Sequence, residues 1–168
     1  MAKLLLPYDG SAPALPALRE AIAEFRRDPA LQIHLLNVQP PFSEHIARHL
    51  SQEARLEFHR EHAREALAPA LRLLDAADIP YSLHIEVGDR VERIVDLAQR
   101  LRCDRILLAT SRKSPLLRAL ENSLTSRLIE RAPVPVEVVA GAPASVLERV
   151  GVPAGVCAGL TLLWVAGT

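Results

Sequence analysis

Cysteine is scarce in this chain: only Cys103 and Cys157 occur among 168 residues, in different segments and with no metal-like spacing around either. That excludes a disulfide framework and suits a reducing compartment. An excess of one charge is lacking too. Lys plus Arg total 20 and Asp plus Glu total 20, so the summed field draws neither nucleic acid nor an anionic membrane, and no nucleic-acid partner is expected. Met1-Ala2-Lys3 runs straight into an apolar strand-like stretch, without the charged leader, long apolar run and small-residue cleavage site of a secretory signal. A cytoplasmic location is the expectation. Internal repeats and low-complexity segments are absent as well. So are the local signatures Gly-x-Ser-x-Gly, Gly-x-x-x-x-Gly-Lys-Ser and Gly-x-Gly-x-x-Gly. Cys103 sits beside Asp104, whose carboxylate raises a thiol pKa and makes a poor nucleophile of it. With no nucleophile, base and orienting group in any recognised arrangement, the chain is expected not to be an enzyme.

What is present is a chain long enough for one domain with a genuine core. Leu4-Leu5-Leu6-Pro7-Tyr8 is apolar without alternation and closes at Asp9-Gly10-Ser11, as a strand buried on both faces would. Leu15, Leu18, Ile22 and Phe25 recur at helical spacing; Pro13 and Pro16 push the regular helix to begin near Leu15, with Ser11 as a candidate cap. A second strand spans Leu31 to Val38 and stops at Pro40-Pro41. A long charged helical stretch runs from about Ser43 to Ala77, where Pro69 is expected to kink or divide it. Strands follow at Tyr81 to Val87, Ile106 to Ala109 and Pro133 to Val139, with helices after Gly88-Asp89 and from about Leu116 or Ser123 to Arg131. Strands alternating with helices indicate an α/β fold with a parallel sheet and right-handed crossovers.

Six histidines invite a metal reading. His45 and His49 stand at i, i+4, and His59 and His62 at i, i+3, so each pair can share a helix face. The two pairs are at least ten residues apart, about 15 Å of helical rise, and cannot complete one site. A solvated helix face is the expectation for both, and no metal is expected. His34 and His84 fall within strands and read as packing residues.

Open parallel sheets bind ligands beyond the carboxyl ends of their strands, where strand order reverses. Asp9-Gly10-Ser11 after the first strand and Thr110-Ser111-Arg112-Lys113 after the fourth meet that description, with Asn122-Ser123 at a helix start. Together they offer a carboxylate, hydroxyls, cations and helix amides, a set suited to a phosphorylated ligand, although Asp and Ser after a strand more often cap helices.

Leu5 to Ser11, Val87-Gly88-Asp89, Ile106-Leu107-Leu108-Ala109-Thr110, then Ser123 with Thr125, then Leu128-Ile129-Glu130-Arg131-Ala132-Pro133-Val134-Pro135-Val136 resemble, in order and spacing, the universal stress protein family. The resemblance covers residues 3 to 140. It implies an open five-stranded parallel sheet of order 3-2-1-4-5 with helices on both faces, of the adenine nucleotide alpha hydrolase-like kind. It also implies a regulatory or protective stress-response role without turnover, and a homodimer paired through the last strand, Val134 to Val139. In a nucleotide-binding member the site would use Pro7, Asp9 toward the ribose, Val38 toward the adenine, and Ala109, Thr110, Arg112, Asn122, Ser123 and Thr125 around the phosphates. Such members carry glycine, two residues, glycine, nine residues, then Gly-Ser or Gly-Thr; here those positions hold Ala109, Arg112, Asn122 and Ser123. Bare backbone is replaced by side chains, so no cofactor is expected and ATP is the one candidate to test. A nucleotide-responsive switch and a slow nucleotide hydrolase are the competing functions.

Residues 1–141 read as the domain and 142–168 as an apolar extension outside the resemblance. From Gly151 to Thr168 there is no charged residue, and Gly151, Gly155 and Gly159 recur every fourth position. The extension is expected to dock on its own or a partner subunit, enlarging the dimer, with membrane contact as the alternative and the identity of any other protein partner open.

Overall fold

The computed structural model describes residues 1–112 and 124–143. Five strands, β1 (Lys3–Pro7), β2 (Gln32–Gln39), β3 (Tyr81–Val87), β4 (Arg105–Arg112) and β5 (Val136–Pro143), form one sheet of order β3-β2-β1-β4-β5. Every adjacent pair is parallel. The order is the one the sequence implied. β1 is central because its Leu4, Leu5 and Leu6 are wholly buried: Leu4 and Leu6 enter one core and Leu5 the other.

On one face, α1 (Leu15–Arg27) contributes Ala17, Leu18 and Ala21, and α3 (Gln52–Ala76) contributes Ala63, Leu67, Ala70 and Leu74, all against Leu4, Leu6, Ile33 and Leu35. On the other face, α4 (Arg90–Leu101) and a helix over 124–131, α5, pack Val91, Ile94, Leu97 and Leu128 on Leu5, Leu36, Ile106 and Leu108. Each buried leucine or isoleucine contributes roughly 1.5–3 kcal/mol of transfer free energy, so these two layers carry the stability of the domain.

Local chemistry sets the boundaries. A 3-10 turn at Ala12–Ala14 absorbs Pro13 before α1 starts at Leu15. Ser11 stands at the cap position of that turn, but its side chain makes no capping bond. The long helical stretch begins with a separate α2 (Glu44–Ala47), and Ser51 caps α3 by accepting from the Ala54 amide at 3.1 Å. α3 is one helix, not divided at Pro69. The carbonyl of Glu65 that Pro69 leaves without a partner belongs to an exposed residue, where water can take it, while Leu67, Ala70 and Leu74 hold both halves to the core. β5 begins at Val136, later than expected, because Pro133 and Pro135 have no amide for the ladder; Pro135 supplies only its carbonyl, to the Ile106 amide at 2.9 Å. Among the described residues no helix is long and apolar enough to cross a membrane.

Candidate functional site

β1 pairs with β2 on one side and β4 on the other, so the reversal of strand order falls between β1 and β4. The turn after β1 is tightly built there. Gly10 has φ +85, and a Cβ on it would lie 2.8 Å from the Ala66 carbonyl oxygen of α3, so the turn rests directly on helix backbone. The Ser11 amide donates to Asp9 Oδ1 at 3.0 Å, which leaves the second oxygen of this exposed carboxylate for another partner.

Next to this turn lies a polar chain that sequence reasoning missed. The Asn37 side-chain amide donates to the Tyr8 carbonyl at 2.9 Å, and Gln39 Nε2 donates to Asn37 Oδ1 at 3.1 Å and to the His59 carbonyl at 3.0 Å. His59 Nδ1 lies 2.9 Å from Gln39 Oε1, which can only accept, so the ring carries its proton on Nδ1. The Gln39 carbonyl in turn accepts from the Gly88 amide at 2.9 Å. Asn37, Gln39 and His59 are buried, and the chain ties the ends of β1, β2 and β3 to α3. Burial, then the neighbouring His62, depresses the His59 pKa and keeps it neutral. His59 therefore does not lie on a solvated face as expected; His62 does, exposed and tilted against Phe58 with centroids 4.2 Å apart. His59 continues the stripe of Ala63, Leu67 and Ala70 at helical spacing, which is the signal that places it inside.

The β3–α4 turn closes the crest. Asp89 Oδ1 accepts from the Val91 and Glu92 amides at 3.0 and 3.1 Å and lies 3.5 Å from Arg127 of α5. The Glu92 amide above all holds its pKa below the ordinary value, and Arg127 adds to this. Pro7 and Val38 are half-buried at the ends of β1 and β2, and Ala109 is half-buried in β4. Thr110 and Arg112 end β4, in register with Ala140 and Pro143 across an irregularity of the ladder. Thr125 is half-buried in α5, while Asn122 and Ser123 lie outside the described residues. The fold thus brings Pro7, Asp9, Val38, Ala109 and Thr110 to one crest. Tyr8, beside Asp9, has a buried hydroxyl with no hydrogen-bond partner among the described residues, and burial followed by the Asp9 charge raises its pKa.

Two further histidine pairs are in contact. His45 and His49 meet edge to face at 5.4 Å, and His34 Nδ1 lies 3.2 Å from His84 Nε2 across β2 and β3. Among the described residues no group of three or more His, Cys, Asp or Glu side chains is placed to hold a metal ion.

The architecture defines the class: an open parallel α/β domain whose polar crest lies at a reversal of strand order. The Universal stress protein family matches residues 1–140, and the chain belongs to that family. It is 29% identical over 140 residues to the universal stress protein MJ0531 of Methanocaldococcus jannaschii, spanning 82% of this chain and 81% of that one. The universal stress protein UspA of Lactobacillus plantarum superposes with TM-score 0.65 at 24% identity, over 82% of this chain and 97% of that one. A universal stress protein in complex with cAMP superposes with TM-score 0.65 at 19% identity, over 84% and 98% of the two chains.

Proposed function

We propose that this universal stress protein is a regulatory or protective factor that acts in the cytoplasm by binding, without turnover, and does not hold ATP in the family manner. One observation carries the reading: Ala109, Arg112 and Asn122 stand where nucleotide-binding members of the family have glycines. A phosphate cradle of backbone amides needs close approach, and side chains at those positions obstruct it. Of the two described carboxylates of the crest, Asp89 is committed to the start of α4, while Asp9 keeps one oxygen free but stands where the family resemblance implies the ribose rather than the phosphates, which supports binding without turnover. Calorimetric titration with ATP is the test. No heat at tens of micromolar is expected, and Arg112→Gly with Asn122→Gly should create binding; low-micromolar binding by the unaltered chain sinks the reading.

A nucleotide-responsive switch is the second reading, favoured by the free oxygen of Asp9 and by the fold shared with a cAMP complex. Titration with cAMP and AMP beside ATP separates the two. The active unit is a homodimer paired through β5, whose Val138 is 41% exposed and whose neighbouring helix α5 exposes Ile129; an apolar edge of this kind is an aggregation hazard when uncovered. Sedimentation should give a dimer, and a stable monomer at tens of micromolar removes that part of the proposal.

A further inference from the structure

The border of the sheet opposite β5 ends in a strand with one neighbour. Among the described strands β3 pairs with β2 alone. The Gly88 amide donates to the Gln39 carbonyl, and bonding sides alternate along a strand, so the even-numbered residues of β3 turn their amides and carbonyls toward β2. Those of Tyr81, Leu83, Ile85 and Val87 point outward. The devices that usually blunt such an edge are lacking: the register with β2 is unbroken from Tyr81 to Val87, and the strand holds neither proline nor lysine. The outward-bonding residues also form an apolar row. Leu83, Ile85 and Val87 are 42%, 40% and 38% exposed. Their register partners on β2, Leu35, Asn37 and Gln39, are buried, so the row lies on the α3 side and reaches past the cover that α3 provides.

This edge is complementary to itself. When two β3 strands meet antiparallel about a two-fold axis at His84, the midpoint of Tyr81–Val87, Leu83 of each copy faces Ile85 of the other and Tyr81 faces Val87. All four outward-bonding residues then have hydrogen-bonded partners, and their side chains continue one apolar face across the junction. His84 meets its own symmetry mate at a non-hydrogen-bonded position, and Ser82 meets Glu86. An axis moved to Leu83 or Ile85 shortens the overlap. Charge agrees with the same register: it brings Arg90, just past the crest end of β3, to the end of the second copy that carries Asp78. Both residues are exposed and lack an ion-pair partner among the described residues, and the two-fold makes this match at both ends.

We propose that β3 pairs with β3 of a second copy in this antiparallel register, so that the sheet continues from one copy into the next. The contact is isologous. It lies at the border opposite β5 and does not compete with pairing there, so the two together join dimers into larger assemblies. One strand pair with one apolar row is small beside a standard interface of about 1,600 Å², which makes the contact a weak one, with a Kd on the order of tens of micromolar.

Sedimentation equilibrium of the full chain carrying Val138→Lys, which charges the β5 edge, should still show a monomer in exchange with a dimer. Adding Ile85→Lys should weaken that association roughly tenfold or more. Charge reversal guards against misfolding of the strand variant, because Asp78 and Arg90 lie outside β3: Asp78→Lys and Arg90→Glu should each weaken association about threefold, and the two together should restore it. Disulfide trapping reads the register. With Cys103→Ala and Cys157→Ser in place, His84→Cys sets two thiols across a non-hydrogen-bonded pair whose Cα atoms lie about 4.5 Å apart, within disulfide reach. Mild oxidation should give a covalent dimer roughly tenfold faster than with Ser82→Cys, and Ser82→Cys with Glu86→Cys should recover the fast rate. If the unaltered chain and Val138→Lys associate alike, the reading of β5 as the dimer edge fails, while trapping at position 84 still decides the β3 contact. Four outcomes overturn the proposal: a Val138→Lys chain that stays monomeric at roughly 200 µM; association indifferent to Ile85→Lys; charge reversals that do not compensate one another; and trapping equally fast at positions 82 and 84.

Discussion

β2 carries two polar clusters that differ in one respect. At its crest, Asn37 and Gln39 join the Tyr8 carbonyl to His59 with each side-chain amide oxygen and nitrogen engaged. Midway along, His34 has its one side-chain hydrogen bond among the described residues with His84, and its buried Nε2 has no partner among them. Either tautomer leaves a fault: if His34 Nδ1–H donates to His84, Nε2 is a buried bare acceptor, and if His84 donates, Nε2–H is a buried bare donor. A saturated buried network fixes one arrangement of the strands it joins, while an unsatisfied group lowers the cost of opening. The crest is thus built to hold its shape, and the β2–β3 border is the softer region.

The largest effect should come from the turn supporting the crest. Gly10→Ala places a Cβ against the Ala66 backbone in a conformation that L residues avoid, and the loss should be roughly 2–4 kcal/mol in urea unfolding. A loss under about 1 kcal/mol would mean the turn yields and the crest is not rigid. Gln39→Leu keeps the volume and deletes three hydrogen bonds, stranding His59 Nδ1–H and Asn37 Oδ1. We expect a loss of about 2–3 kcal/mol, and a near-neutral result would erase the distinction between the two clusters.

Acid should act first on the border. Burial is the main cause depressing both imidazoles; His34 also feels His84 and Lys3, and His84 feels Arg100, against which Glu86 works in the opposite sense. Glu86 is itself paired with Arg100. The unfolded chain takes up these protons near pH 6.5, and the folded chain only at lower pH. Between those values the unfolded state binds more protons, so stability falls as pH drops below about 6.5 and is unaffected by this pair above it. His59 contributes in the same direction. Melting temperatures that rise on acidification from pH 7 to pH 5.5 would reverse the assignment, and exchange at pH 6 should open β3 before β1.

Much of this was legible in the sequence. The unbroken Leu4-Leu5-Leu6 run marked a strand buried on both faces, and β3 falls at Tyr81–Val87 as its alternation indicated. That Pro69 does not divide the helix was not legible, because a proline's effect depends on the surroundings of the freed carbonyl, which is tertiary information. The crest network escaped because nothing in the strand pattern marks a partner for Asn37 or Gln39, and only the fold shows that His59, twenty residues beyond Gln39, completes their bonding. The residues expected around a phosphate rest on the family resemblance alone, since residues 113–123 lie outside the described residues.

The smallest effect sharpens the comparison most. Removing both members of a faulty polar pair and filling the space with apolar groups avoids the cost of an orphan, which a single replacement incurs. His34→Leu with His84→Leu should therefore change stability at pH 8 by no more than about 1 kcal/mol in either direction. The neighbours favour this outcome, since Leu5 and Leu36 already line the face that His34 shares. The same double variant should flatten the loss of stability below pH 6.5, leaving the share of His59. Replacing Asn37 and Gln39 together by leucine cannot be neutral in this way, because the Tyr8 carbonyl and the His59 ring stay behind unpaired. Urea titrations of the two double variants at pH 8 and pH 5.5 decide the matter. If the histidine variant loses several kcal/mol at pH 8, the pair is a structural latch rather than a fault, and the softness assigned to the border is wrong.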